Sequence, residues 1–168
     1  MFWSKAKIIA KAFARFVKRE SPSSKANSSD AVGVALFGHP SSAKAAAERA
    51  LSLDETLAEA HAALGHVQIH KLDPAAEREF QRALELNPNS VSAMFWYGEY
   101  FMGRDYTKGI AVLRRVQELD PLSPITGSFV VALLVYARQP EQALAEARKT
   151  LELDQTNPFS RGMLANMI

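Results

Sequence analysis

The sequence from residue 80 reads Phe80 Gln81 Arg82 Ala83 Leu84 Glu85 Leu86 Asn87 Pro88, and this phrase recurs along the chain. It returns from Leu113 to Pro121 and again from Ala147 to Gln155. An earlier copy runs from Ala47 to Asp54. A sequence phrase that recurs at a nearly fixed interval is typical of proteins built from stacked structural repeats. Four copies at a nearly constant spacing therefore predict a repeat array.

Each copy of the phrase predicts a helix with one buried stripe. Phe80, Ala83 and Leu86 share one face at helical spacing, while Arg82 and Glu85 face solvent. The proline after each of the two central copies ends the helix, because proline disfavours helical geometry in the residue before it.

Helices of a second type are predicted between these copies, over residues 59–72, 92–103 and 125–137. Two of them carry an internal glycine, Gly65 and Gly98. Glycine inside a helix costs about 1 kcal/mol relative to alanine. We therefore expect another helix to pack closely against the backbone at these two positions.

The alternation of these two helix types resembles the tetratricopeptide-repeat family, roughly from Ser41 to the end of the chain. The residues that carry the resemblance are Leu64, Gly65, Ala76, Phe80, Ala83 and Pro88, then Tyr97, Gly98, Phe101, Gly109, Leu113, Val116 and Pro121, and then Val130, Leu134, Ala143, Ala147 and Thr150. Val131 departs from the usual glycine, and Glu55 and Gln155 depart from the usual closing proline. The resemblance implies an all-α solenoid of about three helix-turn-helix repeats with flanking half repeats.

Composition excludes several classes of function. The chain is 48% hydrophobic and 23% charged, which is ordinary for a soluble protein. It contains no cysteine, which excludes disulfides, thiol catalysis and thiolate metal sites. The absence of cysteine does not assign a compartment; we expect a cytoplasmic protein, and peripheral attachment to a membrane stays open.

The N-terminal residues 1–19, here called the basic arm, concentrate the positive charge. They contain six basic residues and no acid, so the arm carries +6 and the remainder −4. Apolar and basic residues sort onto opposite faces at helical spacing, which predicts an amphipathic helix over residues 1–20. The residues expected to contact a membrane or a partner are Trp3, Lys5, Lys7, Lys11, Phe13, Arg15, Phe16, Lys18 and Arg19.

Three interpretations of the basic arm stay open. In the first, the arm lies on an anionic membrane surface or directs targeting. In the second, it packs as a cap or a partner helix. In the third, it is an artefact of how the reading frame begins. Residues 21–40 are predicted to be a linker followed by the remnant of a degraded repeat, and residues 41–168 the repeat domain.

No catalytic or metal site is predicted. His66 and His70 have a spacing that zinc sites use, but Val67 stands where the protease motif needs glutamate and no third ligand is evident. His61 lies on the same predicted helix. The carboxylates expected at solvent-facing positions are Glu77, Glu79, Glu85, Glu118, Glu146 and Glu152. We therefore expect neither an enzyme nor a bound cofactor.

The resemblance implies a binding surface instead, because in this family the first helix of each pair lines a concave groove. The corresponding residues are Glu59, Ala62, His66, Ile69, His70, Ser92, Phe95, Glu99, Met102, Ile125, Ser128, Ala132, Val135 and Tyr136. Their mixture of apolar, aromatic and acidic side chains suits a peptide or amphipathic helix of basic or apolar character. The first hypothesis is a scaffold or adaptor for a partner protein.

A second hypothesis is a sensory or dimerising regulatory module. Residues 96–100 and 117–124 resemble the repeat arrays of bacterial transcriptional regulators and kinases, although no effector domain is expected in the short segment before the array. The apolar end formed by Met163, Leu164, Met167 and Ile168 predicts self-association. Nucleic acid is not an expected partner.

Overall fold

The computed structural model describes residues 40–69, 73–156 and 160–162, and within these ranges the regular structure is helical, without strands. The seven helices are α1 (Pro40–Leu53), α2 (Ala58–Ile69), α3 (Ala75–Leu86), α4 (Val91–Tyr100), α5 (Tyr106–Leu119), α6 (Pro124–Tyr136) and α7 (Pro140–Leu153). The predicted all-α repeat array is confirmed. The basic arm, the linker, His70 and most of the closing half repeat lie outside the described residues.

One helix is shorter than the sequence predicts. Residues 92–103 were expected to be helical, but α4 ends at Tyr100 and residues 101–104 form turns. Gly103 has a φ of 79°, a left-handed conformation that glycine adopts without strain. The turn therefore reverses the chain into α5 at this glycine.

The chain forms two compact units, Met1–Trp96 (unit 1) and Tyr97–Ile168 (unit 2), and the boundary falls within α4. In unit 1, α2 packs against both α1 and α3. The core of unit 1 contains several fully buried small residues together with the buried rings of Phe80, Phe95 and Trp96. Its fully buried members include Ala47, Ala60, Ala76, Phe80, Ala83 and Ala93.

In unit 2, α6 packs against both α5 and α7. Because neighbours cover two sides of α6, its apolar residues are buried nearly all round, as with Val130, Val131, Leu133 and Leu134. Across the described residues, no helix combines the length and apolar character that a bilayer span requires.

Helix glycines lie at the predicted points of close approach. A Cβ added to Gly65 would lie 3.0 Å from the Phe80 ring, and one added to Gly98 would lie 2.5 Å from Leu113. Both distances are shorter than ordinary van der Waals contact, so the expectation that a second helix packs against these backbones is confirmed. Gly127 makes a third such approach, in which a Cβ would lie 2.3 Å from Oγ1 of Thr150.

Side-chain caps begin several of the helices. Asp105 accepts a hydrogen bond from the Lys108 N–H at the start of α5, and Ser123 accepts one from the Thr126 N–H at the start of α6. Ser90 accepts one from the Ala93 N–H at 3.3 Å before α4. These predicted caps satisfy backbone donors that have no partner within the helix.

Two of the helix ends that lack a proline use a different turn. After α1, Asp54 Oδ1 accepts hydrogen bonds from the Thr56 N–H at 2.9 Å and from its hydroxyl at 2.6 Å. After α7, Asp154 and Thr156 repeat these bonds at 2.9 and 2.7 Å. The Asp54 carboxylate thus closes the turn between α1 and α2. The Asp-x-Thr turn thus stands where Glu55 and Gln155 replace the usual proline.

Candidate functional site

In unit 1 the predicted groove residues divide into exposed and buried positions. Glu59, His66 and Ile69 of α2 and Ser92 of α4 are half-buried. Ala62 and Phe95 are buried and belong to the core. Most of the predicted groove residues of unit 1 that remain partly accessible therefore lie on α2.

Two histidines of α2 have different surroundings. The His66 ring stacks on Trp96, with 4.7 Å between ring centroids and 16° between ring planes. The His61 ring instead lies against α3, where its Nδ1 is 2.7 Å from Glu79 Oε2, and its Nε2 is 3.1 Å from the Glu55 carbonyl oxygen. His61 thus ties together α2, α3 and the turn after α1. Within the described residues, no group of three or more metal-binding side chains converges.

In unit 2 some of the predicted groove residues are half-buried and others are buried. Glu99, Met102, Ile125 and Val135 are half-buried, whereas Ser128 and Ala132 are buried. Ser128 Oγ donates to the Pro124 carbonyl oxygen of its own helix at 2.9 Å, so this hydroxyl is already satisfied.

Tyr136 is the most exposed of the predicted groove residues that the structure describes, with 58% of its surface accessible. Its ring stacks on Tyr106, with 5.7 Å between centroids and 18° between planes. The stack joins the last residue of α6 to the first residue of α5. An exposed aromatic ring with a fixed orientation is a common feature of protein-binding surfaces.

Sequence reasoning missed Tyr106 of this stack and, separately, the contact of Arg104 with Tyr100. The Arg104 guanidinium lies 4.4 Å from the centroid of the Tyr100 ring and donates to the Tyr100 carbonyl oxygen at 2.8 Å. Helical spacing relates residues within one helix and carries no signal for a pair such as Tyr106 and Tyr136, which comes from two adjacent helices.

Charge differs between the two units. The described residues of unit 1 contain eight acidic and four basic residues, a net charge of −4 with neutral histidines. Those of unit 2 contain eight of each and are neutral. Asp54 is one of the acids of unit 1, and the Thr56 hydroxyl and N–H lower the pKa of its carboxyl.

Of the carboxylates expected to face solvent, Glu77 and Glu79 are half-buried and Glu146 is buried. Glu146 was expected to face solvent, but it is only 5% exposed. Arg114 of α5 forms an ion pair with its Oε2, and the Gln117 side-chain amide donates to its Oε1 at 2.5 Å. The neighbouring helix supplies both partners, so the polar pattern of α7 alone does not distinguish Glu146 from the exposed Glu152.

These packed pairs of antiparallel helices define an α-helical repeat protein. Residues 74–124, which span α3, α4 and α5, match the tetratricopeptide-repeat family. Arrays of this repeat generally mediate protein–protein interactions. No curated protein matches the chain at a significant level.

Solved structures share the fold at low sequence identity. The chain superimposes on PilF of Pseudomonas aeruginosa with a TM-score of 0.78 and 20% identity, covering 97% of this chain and 69% of PilF. For MamA the TM-score is 0.70 with 16% identity, covering 84% of each chain. An O-GlcNAc transferase mutant from Thermobaculum terrenum gives 0.71 and 18%, covering 88% of this chain but 26% of the transferase. At these identities the likeness concerns the fold alone.

Proposed function

We propose that the protein is a scaffold or adaptor that binds a peptide or helix of a partner protein. The binding residues are the exposed and half-buried side chains of α2, α4 and α6, the first helices of the three pairs. The family match of residues 74–124 supports binding as the general mode of action.

The observation that carries the proposal is the exposed ring of Tyr136 stacked on Tyr106. Stacking restricts the tyrosine rotamer before a partner arrives, so less conformational entropy is lost on binding. The ring offers a large apolar surface and its hydroxyl a hydrogen-bonding group, a combination that is enriched where interfaces gain most of their binding energy.

Unit 1 contributes a surface of different chemistry. Glu59 is half-buried at the start of α2, and Ile69 is half-buried near its end. An acid beside an apolar residue on one helix suits a partner segment that presents a basic and an apolar side chain at helical or extended spacing.

The proposal is tested with a matched pair of substitutions in the full chain. Tyr136→Ala removes an exposed ring from a first helix, whereas Leu122→Ala removes an exposed side chain, 74% accessible, from the turn after α5. The proteins that bind the immobilised wild-type chain are identified, and the amount of each that binds each variant is measured. We expect Tyr136→Ala to lower the amount of a bound protein at least tenfold while Leu122→Ala retains it.

The opposite result would remove the basis of the proposal. If every protein that binds the wild type binds Tyr136→Ala and Leu122→Ala equally, the exposed tyrosine is not part of a binding surface. Circular dichroism of both variants verifies that the helices remain folded. Nothing in the described residues favours the regulatory module over the scaffold, and that hypothesis, the self-association and the cytoplasmic location stay predictions.

A further inference from the structure

We propose that the basic arm, residues 1–19, binds as an amphipathic helix to the acidic side of unit 1 in the same chain. The docking site, here called the α2 face, consists of Glu55, Glu59, Ala63 and His66. The regulatory consequence rests on the proposed function: a partner that binds the α2 face must first displace the arm.

Charge complementarity selects unit 1 as the site. The arm carries +6, the described residues of unit 1 carry −4, and those of unit 2 are neutral. A segment tethered to a molecule with this asymmetry is attracted to the acidic unit.

The acids of the α2 face are not neutralised within the described residues. Glu55 is exposed and Glu59 half-buried, and neither side chain forms an ion pair with a described base. Two bases of unit 1 already have acidic partners, since Lys44 lies 3.4 Å from Glu48 and Arg82 lies 3.0 Å from Glu85. The adjacent Asp54, which is exposed, adds a further negative charge beside Glu55.

The shape of the α2 face fits a second helix. Glu59, Ala63 and His66 follow one another at spacings of four and three residues and so lie on one side of α2. The small side chain of Ala63 lets the axis of another helix approach closely. The half-buried His66 ring is stacked on Trp96, so this part of the α2 face is aromatic.

The basic arm has the complementary pattern in sequence. At helical spacing Phe2, Ile9, Phe13 and Phe16 share one side and most of the basic residues share the other. We expect the phenylalanines to contact Ala63 and His66. The lysines that border the apolar side of the arm would then pair with Glu55 and Glu59.

The intervening chain is long enough for same-chain binding. Residues 20–39 separate the arm from α1, and 20 residues in extended form span up to about 65 Å. A 12-residue helix such as α2 is about 18 Å long. A tether of this length holds the arm at an effective concentration in the millimolar range, so weak contacts suffice.

Paramagnetic relaxation tests the proposal in the full chain. The chain has no cysteine, so Ser4→Cys provides a single site for a nitroxide label. We expect the label to broaden the amide signals of residues 59–66 strongly and those of α7 little. In 1 M NaCl, where the Debye length falls to about 3 Å, the broadening should be lost.

Charge-matched variants provide the control. Glu55→Lys combined with Glu59→Lys should abolish the broadening of α2, whereas Glu118→Lys combined with Glu152→Lys, on exposed positions of unit 2, should preserve it at the same total charge. Restoring the attraction with Lys7→Glu and Lys11→Glu in the Glu55→Lys, Glu59→Lys chain should restore the broadening.

Three outcomes would overturn the proposal. The first is equal broadening of both units, and the second is broadening that persists in both double lysine variants. The third is broadening that appears only between a labelled and an isotope-enriched copy, which would assign the arm to a second molecule. An unbroadened α2 face together with binding of the arm to phosphatidylserine vesicles would assign it to membranes instead. The relaxation measurement contains no partner protein, and the Tyr136→Ala binding assay probes unit 2. A negative result in either experiment therefore does not affect the interpretation of the other.

Discussion

Gly98 of α4 and Leu113 of α5 are in such close contact that a methyl group on Gly98 would lie 2.6 Å from Cγ of Leu113. The same relationship joins Gly65 to Phe80 one repeat earlier. In the third pair the corresponding positions are Val131 and Ala147, both fully buried. The large residue has moved to the first helix and the small one to the second, so the volume needed between the helices is conserved while the glycine is not.

We expect Gly98→Ala to lower the free energy of unfolding by up to about 2 kcal/mol. Overpacking of a core costs about 1 to 3 kcal/mol, and replacing a helical glycine by alanine returns about 1. Urea unfolding of the two chains measures the difference. Gly162→Ala is the control, because an added Cβ meets nothing within 4 Å there. Equal stability of the two variants would mean that the Leu113 side chain moves to accommodate the added methyl group without a loss of stability.

We expect Glu146→Ala to lower the free energy of unfolding by roughly 2 kcal/mol. Breaking a fully buried ion pair costs about 3 to 5 kcal/mol, and the 39% exposure of the Arg114 side chain reduces this because water can solvate the released charge. Thermal unfolding compares this variant with Glu118→Ala, which removes the partner of the exposed Arg115 and should cost less than 1 kcal/mol. Similar losses in both variants would contradict the role of Glu146.

We expect Gln68→Leu to stabilise unit 1 by about 1 kcal/mol. Gln68 is 8% exposed, and its Oε1 has no hydrogen-bond partner among the described residues. An unsatisfied buried polar atom costs about 1 to 3 kcal/mol, and leucine fills a similar volume without it. The exposed Gln81 provides the comparison, since Gln81→Leu should change the urea midpoint little. A destabilised Gln68→Leu chain would show that the amide has a function in the fold.

We expect Thr56→Val to raise the pKa of Asp54 towards its ordinary value. The Thr56 hydroxyl is the main cause of the lowered pKa, and valine removes that donor while leaving the backbone N–H. Because the folded pKa lies below the unfolded one, this carboxylate stabilises the fold above the unfolded pKa, and its contribution is lost as pH falls through the folded value. The variant should therefore lose less stability on acidification.

Carbon-detected NMR titration of the Asp54 carboxyl measures this shift directly. Thr156→Val alters the equivalent turn after α7 and should leave the Asp54 titration unchanged. An unchanged Asp54 titration in Thr56→Val would assign the lowered pKa to a source other than the hydroxyl.

The repeat period and the existence of the helices were predictable from sequence, whereas the burial of Glu146 was not. The burial of Phe80, Ala83 and Leu113 was predictable from helical spacing. Residues three or four apart in sequence lie on the same face of a helix, so the spacing of the apolar residues indicates which face is buried. The close approaches at Gly65 and Gly98 were also predictable, since glycine in a helix interior is unfavourable without a packing reason. Turn details were less accessible: α4 ended at Tyr100 rather than at Gly103.

What the sequence determined by itself is a periodic, all-helical array with one buried stripe per helix. Tertiary structure alone decided which polar residues became buried partners and which aromatic residues formed a surface. Glu146 and Glu152 look alike on α7 until α5 brings Arg114 to one of them, and Tyr136 gains its fixed orientation from Tyr106 on another helix. The physical reason is that helical periodicity depends on neighbours within one turn, whereas pairing energies depend on groups distant in sequence that only packing brings into contact.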